Sequence, residues 1–96
     1  MTKYEQIVLA LLGRMAFPSD ALRAAVERNK RSPESYVRGY NACDGAHTVA
    51  QIAKVVGVTP GTLVPILQQW ERLGIVFEIE TRDRGKFYRH LYALEE

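Results

Sequence analysis

The stretch that decides the fold is TVAQIAKVVGVTPGTLVPILQQWERLGIV, residues 48–76. Thr48 precedes an apolar-periodic run and Gln51 stands three residues on. That is the spacing of a capping box, in which each side chain satisfies a free backbone donor of the other residue. Val49, Ile52, Ala53 and Val56 recur at helical spacing, so this helix buries one side. Ala53 is small, as a close helix crossing requires. Gly57 suits a left-handed turn, and Val58 plugs it. Thr59 caps the next helix, with Pro60 at its first position, where a missing N–H costs nothing. Leu63, Ile66, Leu67 and Trp70 continue a 3.6-residue stripe, and Leu73-Gly74-Ile75 reads as a glycine stop. The spacing predicts two helices across a tight turn, the second spanning about 60–73.

A strand signal follows directly. Ile75, Phe77 and Ile79 alternate with Val76, Glu78 and Glu80, which predicts one apolar face and one mostly acidic face. Arg82-Asp83-Arg84-Gly85 is the turn, and 86–94 is the return strand. The facing of that strand stays open, because Arg89 shares a side with Phe87 and Leu91, and His90 with Tyr88 and Tyr92.

A helix-turn-helix followed by a hairpin resembles the core of winged helix-turn-helix transcriptional regulators of the MarR/ArsR sort. The resemblance rests on Ala53 midway through the first helix, Gly57 at the turn, and Leu63 and Ile66 pinning the second helix. The closing ERLGIV, residues 71–76, before a basic hairpin adds to it. It covers the last half to two-thirds of the chain. It implies a mainly α fold with a small β-hairpin, a winged helix-turn-helix with extra N-terminal helices. It also implies a small DNA-binding transcriptional regulator, with a recognition helix at about 60–73 in the major groove and a wing at about 75–94 on the backbone or minor groove. An ordinary helical hairpin in another all-α domain is the bland alternative.

At 96 residues the chain is one domain. Residues 32–96 would form the winged-helix core, and 1–31 a helical extension. Tyr4, Ile7, Val8, Leu11, Leu12 and Met15 predict a first helix that Pro18 ends. Ser19 is the expected cap of a second, with Leu22, Ala25 and Val26 inward. Ser32 is expected to cap a third, with Pro33 and Glu34 in its first turn, Tyr36, Val37 and Tyr40 buried, and Asp44-Gly45 closing it. The first helix carries more apolar surface than a lone capping helix requires. It either packs on its own domain or, as the resemblance implies for added terminal helices, builds a homodimer interface.

The candidate DNA contacts are Thr48, Lys54, Thr59, Gly61, Thr62, Gln68 and Gln69 on the helix pair, with Arg82, Arg84 and Lys86 at the hairpin tip. Gln pairs bidentately with adenine, Thr bonds bases or phosphates, and a basic tip suits the phosphate backbone or a narrow minor groove. Yet no cation lies between Lys54 and Arg72. Pro65 cannot donate to the Gly61 carbonyl, which predicts a bend or a widened first turn. Both features favour the rival reading, a winged-helix module that docks proteins of the transcription or replication machinery. Nothing in these residues separates duplex DNA from RNA. Arg28, Lys30, Arg31 and Arg38 are further cations.

Other classes find little support. A net charge of +2 is only a mild basic bias, so the distribution of charge matters more than its sum. Cys43 is alone, so no intramolecular disulfide can form, which fits a reducing, cytoplasmic setting. No apolar run reaches membrane-spanning length. Cys43, Asp44 and His47 match no strong metal signature, and no nucleophile–base pair, phosphate-binding glycine loop or paired carboxylates occur. The expectation is a non-enzyme without metal or cofactor.

Overall fold

The computed structural model describes residues 2–28, 30–81 and 85–96, with the backbone alone at 80, 81, 85 and 86. Over these residues the order is α1 (Lys3–Ala16), α2 (Ser19–Glu27), α3 (Pro33–Asn41), α4 (Val49–Val56), α5 (Pro60–Leu73), β1 (Val76–Thr81) and β2 (Gly85–His90). The protein is mainly helical with one small antiparallel sheet.

Caps explain most helix starts. Thr2 and Glu5 form a capping box on α1, and Thr48 and Gln51 form the expected one on α4. Thr59 accepts from the Thr62 N–H at 3.2 Å and opens α5. Two expected caps are absent. Pro18, not Ser19, stands at the N-cap of α2, because its carbonyl already receives the Leu22 N–H at 2.9 Å. Ser32 makes no side-chain cap on α3; its carbonyl takes the Ser35 and Tyr36 N–H groups at 3.1 and 3.4 Å instead. Nor does Asp44-Gly45 close α3, which ends at Asn41 with Ala42 as its C-cap.

One apolar cluster joins α2 through β2. Leu22 and Val26, Val37 and Tyr40, Ile52 and Ala53, and Leu63, Leu67 and Trp70 are all buried in it. Helices α3 and α4 cross so closely that a Cβ on Gly39 would lie 2.2 Å from Val56 Cγ2. Tyr40 ties the layers together. Its hydroxyl donates to the Ile75 carbonyl at 2.7 Å and accepts from the Leu91 N–H at 3.2 Å. Its ring meets Trp70 edge-on, with centroids 5.5 Å apart.

Strands β1 and β2 pair from Val76–His90 to Thr81–Gly85. Residues 43–45 add a short third edge. His90 N–H donates to the Cys43 carbonyl at 2.7 Å, Gly45 N–H donates to the Tyr88 carbonyl at 3.0 Å, and Asp44 bridges Arg89. The return strand therefore ends at His90, short of the expected 94. Beyond it, Asn41 clamps Leu94 from both sides, its amide donating to the Leu94 carbonyl and its Oδ1 accepting the Leu94 N–H, each at 2.7 Å. That clamp turns the chain along α3. The expected facing of β1 also changes at its base. Val76 is buried, whereas Phe77 and Ile79 are only half-buried, because the core lies under the first residue of the strand.

Candidate nucleic-acid interface

Helices α4 and α5 meet at a bend of 100° across Gly57, Val58 and Thr59. Two backbone bonds make that bend. The Gly57 and Val58 N–H groups both donate to the Ala53 carbonyl, at 2.8 and 3.0 Å, with Gly57 in the left-handed region at φ 90°. A side chain at Gly57 would resist that φ, which is why the turn carries glycine.

The crossing buries one side of α5 and frees the other. Leu63, Leu67 and Trp70 face the core. At 100° per residue, Gly61, Pro65, Gln68 and Arg72 lie opposite them, and all four are exposed. Thr62, Val64 and Gln69 flank that row, also exposed. The Thr59 and Thr62 hydroxyls sit 3.0 Å apart, so they act as one polar unit at the helix start. Helix α5 runs unbroken through Pro65. Pro65 offers the Gly61 carbonyl no N–H on the outward face.

The fold thus brings Thr59, Gly61, Thr62, Gln68 and Gln69 onto one exposed helix. Lys54 is exposed on α4, and Thr48 is half-buried at its N-cap. Of the hairpin tip, Arg82 and Arg84 lie outside the described residues, and only the backbone of Lys86 is described. Arg72 belongs to the outward row and was absent from the candidates, although extending the helical wheel one turn past Gln68 would have found it. Lys30 and Arg31 border the groove beside the turn together with Val58, Ile66 and Gln69. Their clustering is visible in sequence, but their place next to α5 depends on how α3 packs.

The Cys43–His47 segment behaves structurally. Burial, with Asp44 adding to it, pushes the Cys43 thiol up to about 12. Its Sγ points to the Gly39 carbonyl at 3.5 Å. Asp44 Oδ1 lies 2.9 Å from His47 Nδ1 and accepts the Ala46 N–H at 2.9 Å. Burial alone would raise the Asp44 carboxyl, but these partners outweigh it and hold the carboxyl below its ordinary value. Among the described residues, no group of three His, Cys, Asp or Glu side chains converges as a metal would need. No single helix among them is long and apolar enough to cross a membrane. No family model, curated protein or solved structure matches this chain.

Proposed function

We propose that this chain is a winged helix-turn-helix protein that binds duplex DNA, a small transcriptional regulator whose α5 enters the major groove. The observation that carries the reading is the 100° crossing of α4 and α5 over a three-residue turn, with the outer face of α5 left uncovered. Helix-turn-helix pairs cross at about 90–120° over turns of that length. The β1–β2 hairpin follows α5 immediately, where a wing would lie beside the groove.

Each residue has a distinct role in this reading. Gln68 and Gln69 offer paired donors and acceptors to adenine edges, while Thr59 and Thr62 reach bases or phosphates near the helix start. Pro60 brings no N–H and Thr59 takes the Thr62 N–H, so at the start of α5 it is the Gly61 N–H that suits a phosphate. Arg72, Lys54, Lys30 and Arg31 supply cations around the helix, and Arg82, Arg84 and Lys86 supply them from the hairpin tip.

Fluorescence anisotropy with a random-sequence duplex, titrated against salt, tests this. Affinity is expected to fall steeply as salt rises, by about 0.9 logarithmic units per phosphate contact for each tenfold rise in salt. Arg72→Ala is expected to lower the slope by about one unit, and the triple change of Arg82, Arg84 and Lys86 to Ala by about two to three. The exposed Val64 and Pro65 on α5 favour a second reading, a winged-helix module that docks a protein partner. Absence of any duplex binding at low salt would select it.

A further inference from the structure

We infer that α1 pairs in parallel with α1 of a second copy of this chain. Tyr4, Val8, Leu11 and Met15 are spaced four, three and four residues apart, a two-heptad a/d seam with Val8 and Met15 at a and Tyr4 and Leu11 at d. Tyr4, Leu11 and Met15 face away from the body of their own protein, and Val8 between them is half-buried. Tyr4 is 75 % exposed and Met15 82 %, and Ile7, Leu11 and Leu12 are each more than half exposed. The opposite side of α1 is anchored. Gly13 sits so close to the body that a Cβ there would lie 2.9 Å from Leu91 Cβ. Arg14 stacks 4.5 Å from the Tyr92 ring centroid, and the Tyr92 hydroxyl donates to the Phe17 carbonyl. The helix is therefore held with its apolar stripe turned outward.

A second copy fits this stripe for three reasons. The first is area. Five side chains of this size expose on the order of 600 Å² per copy, about 1,200 Å² over a pair, the lower edge of a specific interface. That is at the upper end of the contiguous apolar surface a monomer ordinarily leaves in water. The second is core chemistry, because β-branched Val8 at a with Leu11 at d favours two parallel strands. The third is flank matching. A parallel pair sets Ile7 at g against Leu12 at e of the other copy, apolar on apolar. An antiparallel pair would set Ile7 against Arg14 and Glu5 against Leu12. Ile7 and Leu11 also border an open groove reaching Arg89, so that flank has room for the incoming leucine. This pairing stands whether or not α5 binds DNA.

Sedimentation equilibrium on the full chain reads it directly. The wild type is expected to move from 10.9 kDa toward twice that mass as concentration rises through the micromolar range. Leu11→Asp is expected to weaken association about a hundredfold while its circular dichroism and melting match the dissociated wild type, since Leu11 is exposed within one copy. Val8→Cys is expected to form a disulfide dimer under mild oxidation, because a parallel seam sets position 8 against itself, and the native Cys43 is buried. A wild type that stays monomeric throughout, or Leu11→Asp associating like the wild type, overturns the pairing. A Val8→Cys variant that associates but crosslinks only in mixtures with Leu11→Cys overturns the parallel orientation.

Discussion

Tyr40 joins three parts of the chain through one hydroxyl, to Ile75 ahead of β1 and to Leu91 after β2. Tyr40→Phe would leave the Ile75 carbonyl and the Leu91 N–H without it in a buried site, and is expected to cost about 1–3 kcal/mol in chemical denaturation. Helical periodicity marks Tyr40 as buried, but not its partners, which lie 35 and 51 residues away in sequence. His90, beside it with ring centroids 5.6 Å apart, reads in sequence as a strand residue of uncertain facing; the structure buries it. Burial, and then the neighbouring Arg89 charge, lowers its pKa from 6.5. The unfolded chain takes up this proton at a higher pH than the folded one. The stability tied to His90 is therefore present above about pH 6.5 and is lost as pH falls from there toward the lower folded value. Urea denaturation from pH 7.5 down to 5 is expected to show that decline in the wild type and a weaker one in His90→Phe. Equal slopes would remove His90 from the account.

Among the elements, the α3–α4 contact makes the sharpest demand. An alanine in mid-helix is ordinarily better than a glycine by about 1 kcal/mol. Gly39→Ala is expected to reverse that sign and destabilise by about 1–3 kcal/mol, because its Cβ would drive into Val56. Pro65→Ala runs the other way. Alanine restores an N–H for the Gly61 carbonyl in the middle of α5, and thermal melting is expected to show a gain of about 1–3 kcal/mol. An unchanged melting temperature would mean that this carbonyl already has another donor. Helices α4 and α5 were legible because cap, glycine and stripe agree within 30 residues. The third edge at residues 43–45 was not. It consists of two backbone bonds to β2 with no strand-like run of its own, and Asp44-Gly45 carries the same composition as an ordinary helix stop. The end of the hairpin was hidden for a related reason, since Leu91, Tyr92 and Leu94 are as apolar as strand residues yet are held by Asn41 and the core.

At the scale of the whole molecule, two exposed faces among the described residues carry the two proposals. One is the outward row of α5, polar and mildly cationic; the other is the apolar stripe of α1. The stripe was visible in sequence, but whether it turned inward or outward depended on Gly13 letting α1 lie against Leu91 on its other side. The row on α5 followed from the wheel, apart from Arg72 and the neighbouring Lys30 and Arg31. Helix α5 is proposed to be the surface that meets duplex DNA. Amide chemical-shift mapping during titration with a random-sequence duplex at low salt tests it most directly. The largest shifts are expected at Gly61, Thr62, Gln68, Gln69 and Arg72, with smaller ones at Lys54 and Lys86. Shifts confined to α1, or an unchanged spectrum at saturating duplex, would contradict it.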